Sequence, residues 1–189
     1  MCKDGTLMLT HGGSGGELTQ YGLPDERVQN HTREFLQSKI DIGEGQEMPT
    51  ANDLVELFLD TDTELHLELK GPYFDEFKHK YDFNLAALKL YELIEKYGIK
   101  HRTIVSSFNI EAIEAMVEIC KERNDKDLKI SFLPKYTVES TIDPTVPDGC
   151  FGIGLNSIHA TKEIVDRVQA AGKKIGIFIG SKVGKVPED

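Results

Sequence analysis

Tryptophan is absent from the 189 residues and cysteine is scarce, with three. Cys2, Cys120 and Cys150 lie far apart and form no C-x-x-C pair, which argues against a disulfide framework or a zinc ribbon. Three reduced thiols in a cytoplasmic protein are the expectation. Long apolar runs are also missing. Stretches such as Ile175–Ile179 are five residues long, against the roughly 20 residues that a membrane-spanning helix needs. Met1-Cys2-Lys3-Asp4-Gly5 has no apolar stretch behind it to make a signal peptide. Cations are in deficit, with 22 Lys plus Arg against 32 Asp plus Glu and a net charge of −10. Such a chain has no surplus positive charge to displace counterions from a phosphate backbone, so nucleic acid is not an expected partner. A small anionic substrate held in one local cationic pocket is compatible with that balance.

Hydrophobic residues make up 39% and charged residues 29%, a globular balance. A chain of this length buries roughly 70% of its unfolded surface in a single core, and residues 1–189 read as one domain. From about residue 50 short apolar strands alternate with amphipathic helices. Thr50 and Asp53 start a helix carrying Leu54, Leu57 and Phe58. Glu64–Lys70 reads as a strand stopped by Gly71-Pro72. Leu85, Leu88, Leu93, Ile94 and Tyr97 mark a helix ended by Gly98. Thr103–Phe108 is a strand, and Asn109 caps a helix with Ile113, Met116, Val117 and Cys120 on one face. Leu128–Leu133 and Phe151–Leu155 are strands, Thr161 opens a helix reaching Gly172, and Ile175–Ile179 is the last strand. Thr6–Thr10 is a further candidate strand. The polar, glycine-containing stretch from about residue 12 to 47 reads as an excursion from the main fold, with one short helix at Thr32–Lys39. Regular alternation argues for a parallel α/β sheet, and both an open doubly wound sheet and a closed β/α barrel satisfy it.

Glu64-Leu65-His66-Leu67-Glu68-Leu69-Lys70 puts three leucines on one face and Glu64, His66, Glu68 and Lys70 on the other. A parallel strand is ordinarily buried on both faces. A polar face is therefore either a solvated surface or the inner face of a barrel, with Glu68 and Lys70 at the carboxyl end where barrel active sites lie. A carboxylate there can bind a metal, and an ammonium can hold a phosphate. His11 follows the β-like run Thr6–Thr10 and precedes Gly12-Gly13-Ser14-Gly15-Gly16. No Gly-Lys-Ser/Thr follows, so the glycines are not a P-loop.

In order along the chain these stretches resemble the glycerophosphodiester phosphodiesterase family. Lys3-Asp4-Gly5-Thr6-Leu7-Met8-Leu9-Thr10-His11 is similar to its T-K-D-G-x-x-V-x-H-D segment, and Met48-Pro49-Thr50 to its P-T helix start. Leu67-Glu68-Leu69-Lys70 resembles its I-E-L-K strand, Ser106-Ser107-Phe108 its S-S-F strand end, and Gly172–Phe178 its late strand. The resemblance implies a TIM-type (β/α) barrel, incomplete as given, with about strands three to seven present. It further implies metal-dependent hydrolysis of glycerophosphodiesters to sn-glycerol 3-phosphate and an alcohol, with Mg²⁺ or Ca²⁺ as cofactor, within phospholipid and glycerol metabolism. On matched positions it makes His11 the proton-transfer residue, Glu68 a metal ligand, and Lys70 the residue that binds and stabilises the phosphate.

The family's opening H-R-G and E-x-D strands have no counterpart, its aspartate after the histidine is Gly12, and its late tryptophan is replaced around Phe178-Ile179. A full barrel typically needs about 250 residues, roughly 60 more than this chain. An unclosed barrel has free strand edges, which favour self-association. Beside the hydrolase stands the alternative of a catalytically inactive relative that binds a ligand or partner.

Overall fold

The computed structural model describes residues 1–12, 17–71, 81–134 and 146–179. Pro72, the glycine run after Gly12 (residues 13–16) and His79 lie outside the described residues. Five strands form one sheet in the order β1-β2-β3-β4-β5. They are β1 Leu65–Glu68, β2 Thr103–Ser107, β3 Lys129–Phe132, β4 Gly152–Asn156 and β5 Lys174–Phe178. Every neighbouring pair is parallel. The strands follow chain order without a reversal. A doubly wound sheet reverses at a switch point, so the alternation belongs to a β/α barrel. The sheet also curls. In a flat sheet β2 and β5 stand about 14 Å apart, three intervals of roughly 4.8 Å. The rings of Phe108, just past β2, and Phe178 of β5 nevertheless meet edge to face at 5.8 Å. The described strands form an incomplete TIM-type barrel, with β1 and β5 at its two edges.

Local sequence explains the helices. In α1, Arg33–Lys39, the Thr32 side chain accepts from the Phe35 amide. Helix α2, Ala51–Leu57, starts with a full capping box: Thr50 accepts from the Asp53 amide, and the Asp53 side chain accepts from the Thr50 amide. Helix α3, Phe83–Lys96, is capped by Asp82, and Gly98 follows its end at φ +65°, a left-handed turn that costs glycine nothing. Helix α4 covers Ile110–Glu122. In α5, Lys162–Ala170, Thr161 caps by accepting from the Ile164 amide. The expected boundaries hold to within about two residues.

The core lies between the outer face of the sheet and helices α3 and α4. Leu65, Leu67, Leu69, Val105 and Ile130 from the strands meet Ala86, Leu90, Ile94, Ile113 and Met116 from the helices, all buried. Buried Arg102 donates to the carbonyls of Thr63 and Phe58 and so ties the approach to β1 to the start of β2. The stretch ahead of α2 has its own apolar cluster of Cys2, Leu18, Val28, Leu36, Ile40 and Met48.

Two expectations need correcting. Thr6–Thr10 is not a strand. It makes an isolated antiparallel bridge, Met8 with Thr50, flanked by bonds from the Leu9 amide to the Pro49 carbonyl and from the Ala51 amide to the Leu7 carbonyl. The partner segment turns into α2 at Ala51 and Pro49 has no amide hydrogen, so the ladder cannot lengthen. Asn109 occupies the position before α4, but its side chain makes no capping bond.

Candidate active site at the carboxyl end of the first strand

The polar face of β1 points to the inside of the curl. Leu65, Leu67 and Leu69 are buried against the helices, while His66 and Glu68 are on the open side. Lys70 lies two residues past the end of the strand. Its ammonium donates to the backbone carbonyl of His11 at 2.6 Å, a contact across 59 residues, and lies 3.8 Å from Glu68 Oε1. The three residues singled out from the sequence therefore meet in space. A cavity of about 150 Å³ opens beside them, between β1 and the segment carrying Leu7 and Leu9, and Glu68 and Lys70 are in its wall.

Each group has a defined electrostatic setting. The Glu68 side chain keeps 30% of its surface exposed. Burial raises its pKa above the usual carboxylate range, while the positive charges of Lys70 and His11 work against the rise. His11 is exposed, and its Nδ1 is 3.1 Å from the Gly12 carbonyl. A carbonyl only accepts, so Nδ1 carries the hydrogen in that bond and the neutral ring presents Nε2 as its basic nitrogen.

Residues that the sequence patterns did not reveal build the surroundings. The Thr10 hydroxyl donates to the Glu17 carbonyl and accepts from the Gly12 amide and the Gln20 side chain, which fastens the chain around His11. Glu17, also in the cavity wall, accepts from Arg27 and from the Val28 amide. The Tyr81 hydroxyl lies at the same cavity, and burial pushes its pKa up. Gly71 permits the closest approach, since a Cβ there would collide with the Phe83 ring. These contacts follow no helix or strand spacing, and no local motif announces them. His66 is also in the cavity wall, with its Nε2 3.0 Å from Glu64 Oε1.

Among the described residues no three His, Cys, Asp or Glu side chains converge to hold a metal ion. Glu68 is one carboxylate where a hard divalent cation takes about six or more oxygens. The described donors do not fit a Mg²⁺ or Ca²⁺ ion by themselves.

The described half-barrel groups an ammonium, a carboxylate and the His11 backbone carbonyl at the carboxyl end of a strand, where β/α-barrel enzymes build their active sites. No protein-family model and no curated protein matches the chain. Solved structures do. A protein of Galdieria sulphuraria described as a glycerophosphodiester phosphodiesterase is 26% identical, over 95% of this chain and 69% of that one, with a TM-score of 0.75. An Oleispira antarctica phosphodiesterase, solved with its product sn-glycerol-3-phosphate, is 17% identical over 95% of this chain and 70% of its own, TM-score 0.70. A Parabacteroides distasonis glycerophosphodiester phosphodiesterase is 17% identical over 80% of this chain, which spans 59% of its length, TM-score 0.62. The resemblance to the glycerophosphodiester phosphodiesterases read from the sequence is borne out in three dimensions, and the chain spans only part of the length of these proteins.

Proposed function

We propose that the chain belongs to a glycerophosphodiester phosphodiesterase that cleaves glycerophosphodiesters to sn-glycerol 3-phosphate and an alcohol in phospholipid and glycerol metabolism. The observation that carries this reading is that Glu68 and Lys70 share one cavity wall while the Lys70 ammonium rests on the backbone carbonyl of His11. The bound product of the Oleispira antarctica protein motivates the choice of product.

Lys70 binds the phosphodiester and offsets the negative charge that builds on its oxygens in the transition state. His11, with Nε2 basic, moves a proton between the attacking oxygen or the departing alcohol and solvent. Glu68 contributes one oxygen ligand toward the Mg²⁺ or Ca²⁺ implied by the family resemblance. The other ligands would have to come from outside the described residues, so no step is assigned to the ion. The test is release of glycerol 3-phosphate from glycerophosphocholine by the full natural protein with Mg²⁺ or Ca²⁺. No release with His11, Glu68 and Lys70 intact overturns the reading.

The shortage of cation ligands among the described residues favours one alternative, a catalytically inactive relative that binds a phosphodiester or a partner. Calorimetry showing metal-independent binding of glycerophosphocholine without turnover supports it. The same reading takes residues 1–189 as one domain, with about 12–47 an excursion from the barrel. It takes the protein as cytoplasmic on its three buried, unpaired cysteines. No helix among the described residues is long and apolar enough to cross a membrane. Self-association through the strand edges is part of the proposal, since Ile177 and Ile179 on and just past edge strand β5 are 59% and 80% exposed.

A further inference from the structure

Ser107, the last residue of β2, is fully buried, at 0% exposure. Its hydroxyl donates to the Leu69 carbonyl at 2.6 Å and accepts from the Asn109 amide at 3.0 Å. The Leu69 carbonyl belongs to the peptide that leads into Lys70. The Leu69 amide is already bonded to the Ser106 carbonyl at 2.7 Å. Both polar groups of the residue before Lys70 are thus held by β2, one through the strand ladder and one through the Ser107 side chain. On the other side of Lys70, Gly71 is wedged against the Phe83 ring. A lysine's four-carbon stem is flexible in itself, so its ammonium stays on one acceptor only where the backbone holds stem and acceptor in register. Here the backbone is pinned before and after the lysine, and the ammonium comes to rest on the His11 carbonyl, 3.8 Å from Glu68.

We infer that Ser107 is a positioning residue whose buried hydroxyl holds the end of β1 so that the Lys70 ammonium is fixed between His11 and Glu68. Its importance for turnover rests on the hydrolase reading; its effect on Lys70 does not. The Asn109 amide that the hydroxyl accepts from belongs to the residue ahead of α4, so the clasp joins the end of β1 to the start of α4 through a single oxygen. Asn109 itself is buried, its side chain makes no capping bond, and its Oδ1 has no partner among the described residues. The start of α4 is therefore held by the serine clasp rather than by a helix cap.

The test is competitive labelling of the full protein with trace acetic anhydride, read by mass spectrometry, with exposed Lys121 as the internal reference. Ser107→Ala should raise the labelling of Lys70 relative to Lys121 several-fold. Ser107→Cys, which keeps the volume but donates weakly, should give a smaller rise in the same direction and carries the test if the alanine variant does not fold. Unchanged Lys70 labelling in a folded variant overturns the inference, and this readout needs no catalysis. Where the natural protein turns over glycerophosphocholine, Ser107→Ala should lower kcat by about tenfold, since small misplacements of a catalytic group are costly. In a Lys70→Met background the same substitution should then lower kcat no further. An equal loss in both backgrounds means that Ser107 acts on structure alone. A natural protein without turnover defeats the hydrolase reading but leaves the labelling result to decide the role of Ser107.

Discussion

Asp125, in the turn between α4 and β3, offers the sharpest stability prediction. Its carboxylate has only 4% of its surface exposed and is 2.8 Å from the Lys100 ammonium. It also accepts from the buried Tyr91 hydroxyl at 2.8 Å and from the amides of Asp127 and Leu128. Burial alone would raise its pKa. The bonds from Lys100, the Asp127 amide, Tyr91 and the Leu128 amide outweigh burial and bring it down from 3.8 to about 2. Each pKa unit corresponds to about 1.4 kcal/mol. The depression is therefore worth about 2–3 kcal/mol, present above the unfolded pKa and lost as pH falls from about 4 toward 2. Asp125→Asn keeps the shape and removes the charge. Urea unfolding at pH 7 should show the variant less stable by about 2–3 kcal/mol, and at pH 3 the difference should shrink to about half. A difference at pH 3 equal to that at pH 7 would refute the charge-based reasoning. So would a difference below about 0.5 kcal/mol at pH 7.

Further outcomes follow from the site and the core. Glu68→Gln should reduce glycerol 3-phosphate release by about 100-fold or more. Because burial raises the pKa of this carboxyl, neutralising it removes a cost that the folded state bears once pH exceeds that pKa. Calorimetry at pH 7 should thus find the variant's Tm unchanged or raised by up to about 4 °C, and a large fall in Tm would contradict the assignment. The acid limb of the activity profile should lie above the ordinary glutamate range for the same reason, and a limb at or below that range would count against it. Gly71→Ala forces a methyl group into the Phe83 ring; a loss of about 1–3 kcal/mol in urea melts is expected, and unchanged stability would show that the contact is not tight. All three thiols are buried, and burial pushes each pKa up to about 11. Ellman's reagent should label them at native pH 7 far more slowly than in urea, with equal rates the contrary result.

Most of the fold was legible because its signals are local. The leucine alternation of β1, the capping box at Thr50 and Asp53, and Gly98 after α3 each act within a few residues, and each formed where the pattern placed it. The choice between a doubly wound sheet and a barrel was not legible from alternation, since both wind strand-helix-strand. Only strand order decides it, and strand order is a property of the assembled sheet. Thr6–Thr10 reads as a strand by alternation but has only a two-residue partner before α2 begins, a limit set by another part of the chain. At the site, His11, Glu68 and Lys70 were found through motif resemblance, and the fold brings them together. Ser107 acts on a carbonyl 38 residues away, and Thr10 and Glu17 bond across an irregular loop, so no spacing pattern marks them. Asn109 is the case where a local rule fails: an asparagine ahead of a helix is a strong cap by preference, yet its buried side chain makes no capping bond.

The central claim is that His11, Glu68 and Lys70 form part of a phosphodiesterase site, and phosphorus NMR of the natural full-length protein with glycerophosphocholine and Mg²⁺ or Ca²⁺ tests it most directly. The account predicts loss of the diester resonance and growth of a glycerol 3-phosphate monoester resonance, slowed by about 100-fold or more in Lys70→Met. A diester resonance that persists unchanged with either ion, or turnover in Lys70→Met at the natural rate, would contradict it.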